Sequence, residues 1–116
     1  MDGAFDFMKP YSESLRDPRW QKFRLAVLEA ANWRCEHCND STSELHVHHS
    51  YYRAGHDPWM YPQNSMVALC DRCHGEVHKH QGAVKEAISK ALRLVPGQRM
   101  AKVAEWILAN ALEGER

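Results

Sequence analysis

A small α+β fold held together by a metal is predicted by three features of this 116-residue sequence. Two C-x-x-C pairs, Cys35–Cys38 and Cys70–Cys73, stand about thirty residues apart. Between them, Leu45 to His49 alternates apolar and imidazole side chains over the length of one strand. On either side, apolar residues recur at helical spacing. All four cysteines and seven of the eight histidines fall between Cys35 and His78.

Taken in order, residues 1–16 read as an arm pinned by Phe5 and Phe7, with a short helical turn over Tyr11 to Arg16. Asp17-Pro18 is a helix start, with Asp as N-cap and Pro at the first position. The helix that follows reaches about Ala31 and gathers Trp20, Phe23, Val27, Leu28 and Ala31 on one apolar face. Trp33 then packs either on the metal site or on a ligand. Asn39 to Ser43 is turn-rich. Glu44 to Ser50 is a strand. Tyr51 to Asn64 carries Gly55, Asp57-Pro58 and Pro62 and reads as loop. Ser65 to Leu69 is a short apolar stretch that delivers the chain to Cys70. A helix is predicted from Arg72 to about His80, and a separate one after Gly82 carrying Val84, Ile88, Ala91, Leu92 and Val95. Pro96-Gly97 breaks it. Gln98 to Leu112 is the last helix, with Trp106 off its apolar stripe, either capping the core or anchoring a partner. The chain thus divides into an arm (1–16), a central domain with its lead-in helix (17–80) and a helical extension (81–116).

The chain shows no apolar run of about 18 residues, the length that would cross a membrane. The first residues lack the basic start and apolar stretch of a signal peptide, which points to a cytoplasmic protein. In a reducing compartment C-x-x-C pairs are metal knuckles more often than disulfides. Fifteen basic residues balance fifteen acidic ones. Broad electrostatic attraction to nucleic acid is therefore not expected, although Lys22, Arg24, Arg34, Arg53, Arg72 and Lys79 could form a local basic patch.

A tetrahedral Zn²⁺ takes four soft ligands, and each C-x-x-C turn supplies two. Cys35, Cys38, Cys70 and Cys73 fill the shell, so this site is structural, with no position left for water. The competing reading is four free thiols in the core. A second cluster follows from the first. His74 and His78 lie four apart on a predicted helix, with both rings on one face, a natural bidentate clamp for a metal. The knuckles bring His48 and His49 toward it. Neighbouring strand residues point to opposite faces, so one of this pair can join the clamp while the other turns to substrate as a general base.

Leu45-His-Val-His-His49, Asn64, and Leu69-Cys-Asp-Arg-Cys-His74 with His78 resemble the HNH endonucleases in their four-cysteine zinc form. Tyr52, Gly55, Asp57 and Pro58 are similar to the Y-x-x-x-G-x-E-P loop of a bacterial and phage branch. Tyr11 through Cys35 resembles that branch's lead-in helix. The resemblance covers roughly residues 11–80. It implies the ββα-metal fold, flanked here by an N-terminal helix and two C-terminal helices. It implies His49 as general base and Asn64 as the central Asn that orients it, with Ser65 in that residue's usual slot. His48, His74 and His78 are the implied ligands of one catalytic divalent ion (Mn²⁺, Ni²⁺, Zn²⁺ or Mg²⁺). Arg53 and Arg72 are candidates for phosphate contact.

The chemistry agrees with this set. Phosphodiester hydrolysis needs an activated water and stabilisation of the charge developing on phosphate and leaving oxygen. A neutral imidazole serves as base near pH 7. Histidine ligation suits Mn²⁺, Ni²⁺ or Zn²⁺ better than Mg²⁺, which prefers oxygen. The expected activity is metal-dependent hydrolysis of DNA in a bacterial or phage-infected cell. A monomer would nick, and a dimer would cut both strands. Two rival readings are a non-catalytic zinc module that binds DNA, and a docking component whose C-terminal helices hold a second copy or a protein partner.

Overall fold

The computed structural model describes residues 11–111, and the expectations for Phe5, Phe7 and Leu112 lie outside them. Within that span the chain is a mixed α and β protein with a two-stranded antiparallel sheet and several helices. Helix α1 is one turn, Tyr11–Ser14. Helix α2, Pro18–Ala30, starts where the sequence marks it. Asp17 is in extended conformation and its carboxylate accepts the Arg19 N–H at 2.8 Å, satisfying one of the open donors of the first turn. The helix buries Trp20, Val27 and Leu28 and leaves Phe23 half-buried.

The chain then reverses through Asn32 and Trp33, both left-handed at φ 57° and 56°. The Trp33 N–H donates to the Leu28 carbonyl at 3.0 Å, which closes the helix end and sends the chain to Cys35. Trp33 itself stays half exposed. In the first knuckle the Asn39 N–H donates to the Cys35 carbonyl at 2.8 Å, and the Cys35 N–H to the Asp40 carbonyl at 2.9 Å. Asp40 then anchors the following turn, accepting the Thr42 N–H at 2.8 Å and the Ser43 hydroxyl at 2.6 Å.

Strand β1, Leu45–His49, pairs with β2, Met66–Cys70, so that His48 faces Val67 and His49 faces Met66. The knuckle joins this sheet. The Glu36 N–H donates to the Ala68 carbonyl at 2.8 Å, and the Glu36 carboxylate accepts the Ala68 N–H at 2.8 Å. Leu28, Cys35, Leu45, Ala68, Leu69 and Cys70 form the main core beneath it. Val27, Tyr61 and Met66 form a second cluster under the 51–65 loop. Tyr61 ties that loop together, its hydroxyl accepting the Arg53 N–H at 2.9 Å.

The helix after Cys70 differs from the expectation. The sequence pattern predicts two helices separated near Gly82, but α3 runs unbroken from Asp71 to Ala91. A glycine inside a helix costs about 1 kcal/mol relative to alanine and does not by itself end it. Leu92 and Val95 fall beyond its end, in the turn before Pro96, whose ring disfavours helical geometry in the residue before it. Helix α4, Met100–Ala111, follows a short 3₁₀ turn.

Contacts divide the chain into two compact units, residues 1–79 and 80–116. The buried core belongs to the first. In the second, among the described residues, no side chain of α4 is buried, and Trp106 is 66% exposed instead of capping a core. No described helix is long and apolar enough to cross a membrane.

Leu69, on β2, is fully buried in the main core. Leu69→Ala should lower unfolding stability by about 2–5 kcal/mol, read from the midpoint of chemical denaturation of the zinc-loaded protein.

Candidate functional site

Glu36 seats the first C-x-x-C turn against Ala68, two residues before Cys70, and α3 begins at Asp71. The four sulfurs of Cys35, Cys38, Cys70 and Cys73 therefore converge, all within 4.8 Å of one another. Cys38 and Cys70 Sγ lie 3.7 Å apart. Four Zn–S bonds of about 2.3 Å place tetrahedral sulfurs roughly 3.8 Å apart, so the set fits zinc. The thiols also differ in acidity. Burial raises the Cys35 thiol, but backbone hydrogen bonds from Cys70, Cys38 and His37 outweigh it and lower it to about 6. Cys73 is pushed up to about 12 by burial and by its hydrogen bonds to Cys38, Cys35 and Cys70. Four thiolates cannot share this volume unless a cation neutralises them.

The second cluster joins β1 to α3. His48 on β1 and His74 and His78 on α3 offer nitrogens within 4.8 Å of one another. His74 and His78 Nε2 are 3.0 Å apart. Metal–nitrogen bonds of about 2.1 Å put adjacent ligands roughly 3.0–3.4 Å apart, so three imidazoles at this spacing fit a transition-metal ion. His46 and His48 are two apart on β1 and so share a face. His46 stacks on His74, with ring centres 5.3 Å apart, and its outer nitrogen pairs with Asp71. Burial lowers the His74 pKa, and the neighbouring His78 and His46 lower it further, so its ring stays neutral and able to ligate.

His49 turns the other way and is buried, 4% exposed. Its Nε2 lies 3.1 Å from the Pro58 carbonyl. A carbonyl can only accept, so Nε2 carries the proton and Nδ1 keeps its lone pair. Burial lowers the His49 pKa despite that bond, keeping the ring neutral near pH 7. Trp20 stacks on it with centres 5.4 Å apart, Tyr52 stacks at 5.1 Å, and Tyr61 meets it edge-on at 5.0 Å.

Both histidine groups open into one cleft of about 300 Å³, lined by His48, His49, His74 and His78 together with Tyr11, Trp20, Arg24 and Tyr52. The other expected residues lie elsewhere. Asn64 is exposed in a 3₁₀ turn, Gln63–Ser65, and the hydrogen bond on His49 comes from Pro58. Arg53 stacks on Tyr51, 5.3 Å from its ring centre. Arg72 lies beside the cysteine cluster, and Cys38 first, then Cys73 and Cys70, raise its pKa. The cation at the cleft is Arg24. Reading the sequence singled out neither Arg24 nor the aromatic walls as site residues. Arg24 is one of the six basic residues that could form a local patch, and it falls four residues from both Trp20 and Leu28, the spacing of one helix side.

These features define a small α+β domain with a four-cysteine cluster able to bind zinc and a histidine-lined cleft beside it. The chain belongs to the same family as the Gene 4 protein of Mycobacterium phage D29. The two are 30% identical over 81 residues, 69% of this chain and 80% of the phage protein. No family model matches the chain, and no solved structure matches it.

The purified protein should carry tightly held zinc, and Cys70→Ser should lose it together with cooperative unfolding. Because thiols must deprotonate to ligate, zinc uptake by the stripped protein should release protons. Zinc retention should also fall as pH is lowered, read by elemental analysis after chelator challenge.

Proposed function

We propose that this chain is a metal-dependent HNH endonuclease that hydrolyses DNA phosphodiester bonds. One observation carries the reading: three imidazoles at ligand spacing and a separately held, neutral imidazole share one cleft. The two-stranded sheet running directly into a helix, with the ligands on both, is the arrangement the sequence resemblance implies. A nuclease needs such a division of labour, because a ring that ligates through its free nitrogen cannot also accept a proton there.

In this reading His48, His74 and His78 hold a divalent cation, which when bound supplies Lewis-acid stabilisation of the scissile phosphate and of the 3′ leaving oxygen. His49 Nδ1 takes a proton from water as the water oxygen attacks phosphorus. The P–O3′ bond breaks, the 3′ oxygen leaves with the electron pair and takes a proton from solvent water, and the products are a 3′-hydroxyl and a 5′-phosphate. The Pro58 carbonyl keeps the proton on Nε2, so that Nδ1 is the basic atom throughout. Arg24 stands where a non-bridging phosphate oxygen could be met. A single site makes single-strand nicks. Imidazole ligands favour Mn²⁺, Ni²⁺ or Zn²⁺ over Mg²⁺. The reading places the protein in the cytoplasm of a bacterial or phage-infected cell, and the phage relative supports that setting.

A second reading gives the helical unit a docking role. It is favoured by Leu94, Trp106 and Leu108, which are 80%, 66% and 72% exposed, a large open apolar content for so small a unit.

Chelator-stripped protein given Mn²⁺ or Ni²⁺ should nick supercoiled plasmid, and His49→Ala should lower the rate by about 10²-fold or more while keeping zinc and fold. Equal nicking by both proteins would remove His49 from the role of base. No nicking with any metal, from folded zinc-loaded protein, would remove the enzyme.

A further inference from the structure

His49 is restrained by several neighbours, but the restraints differ in kind. Pro58, Trp20 and Tyr61 are all buried. Pro58 holds one ring nitrogen, Trp20 covers one face and Tyr61 meets the edge. Tyr52 also stacks on it, its ring tilted only 25° from that of His49 at 5.1 Å between centres. Trp20 is tilted 23° from it at 5.4 Å. The imidazole thus stacks with two rings. Tyr52 is 63% exposed and, with Tyr11, which meets His49 edge-on at 6.5 Å and is 40% exposed, belongs to the cleft rim and not to the core. The Tyr52 ring meets Tyr11 edge-on at 6.0 Å.

An aromatic side chain spends two-thirds of its surface in water here, where the same loop could have folded it inward beside Tyr61. Its contact with His49 is not required to fill the core. It is made at the cleft, where Tyr52 covers part of the His49 ring. A hydrogen bond at Nε2 fixes that atom but still permits the ring to swing about it. Rings stacked on the imidazole limit that freedom, and Nδ1 is then held near one position and one tilt.

We propose that Tyr52 is a positioning residue for His49, acting as the exposed member of the Trp20–His49–Tyr52 stack. This rests on the endonuclease reading, with His49 as base. The aromatic face does the positioning, and the phenol hydroxyl takes no part in it.

The test uses the full zinc-loaded chain and three variants, Tyr52→Phe, Tyr52→Leu and Tyr52→Ala, each first checked for zinc content and thermal midpoint. Plasmid nicking with Mn²⁺ should show a fall in kcat on the order of tenfold or more in Tyr52→Ala and Tyr52→Leu, with KM within about twofold, because a misplaced base loses rate and not binding. Tyr52→Phe should keep most of the rate. In a His49→Ala background the Tyr52→Ala change should cost nothing further, since the residue acts through the ring that is gone.

Histidine ring NMR gives a readout that needs no activity. Stacked with two aromatic rings, the His49 ring protons should lie upfield, move downfield in Tyr52→Ala and Tyr52→Leu, and stay in place in Tyr52→Phe. Full kcat in Tyr52→Ala, a Tyr52→Phe defect as large as that of Tyr52→Ala, an undiminished Tyr52→Ala effect in the His49→Ala background, or unmoved His49 resonances would each overturn the proposal. If the wild type nicks no DNA, the endonuclease reading fails and the ring shifts alone decide whether Tyr52 positions His49. Should Tyr52→Ala fail to fold, Tyr52→Leu and Tyr52→Phe make the same comparison.

Discussion

The pairing of Glu36 with Ala68 is the contact on which the site depends. Through one backbone bond and one carboxylate bond, it seats the first cysteine turn on the edge of β2. Only then do Cys35 and Cys38 meet Cys70 and Cys73, which belong to the end of β2 and the start of α3. A four-ligand site at that junction fixes the angle at which α3 leaves the sheet. His74 and His78 lie one and two helical turns into α3, so their positions follow from the junction with little slack. In a domain this small, with a core of two modest clusters, a cross-link at the point where sheet becomes helix contributes stability and geometry together.

From that junction the two faces of β1 acquire different chemistry. His46 and His48 look toward α3 and meet its imidazoles. His49, one residue on, looks toward α2 and the 51–61 loop, where aromatic rings and a carbonyl enclose it. The same residue type therefore works in two environments one peptide apart. On one face nitrogens crowd together and invite a cation. On the other, apolar burial keeps a single ring neutral. The strand ends at His49, and this lets both environments open into one cleft.

Much of the fold could be read from local signals. Asp17-Pro18 marked the start of α2, and the alternation around Val47 marked β1. Both are short-range features that neighbouring residues enforce without tertiary help. The split at Gly82 was misread for a related reason. Glycine weakens a helix without stopping it, and what decides is whether the flanking turns hold. The convergence of four cysteines followed from spacing and ligand number, because few arrangements of two C-x-x-C turns avoid it. Arg24 is legible only as part of a local basic patch, and Tyr52 and Pro58 only as loop residues of the resemblance; nothing local marks their place beside His49. They and the other aromatic walls reach the cleft from α1, α2 and the 51–61 loop, and their proximity to His49 depends on how those elements pack.

The sequence by itself determined the classes of side chain available: thiols in two turns, imidazoles in a strand and a helix, and helical stripes around them. These are set by residue type and by spacings of two to four, which local backbone geometry converts into shared faces. The tertiary structure decided which imidazole is held alone against a carbonyl and which three converge, that the hydrogen bond on His49 comes from Pro58, and that Arg24 lines the cleft while Arg53 stacks on Tyr51 and Arg72 lies beside the cysteines. Those assignments turn on distances across tens of residues of chain. A loop's path over a surface is set by the packing of its few buried residues, here Pro58 and Tyr61, and not by the pattern of its exposed ones.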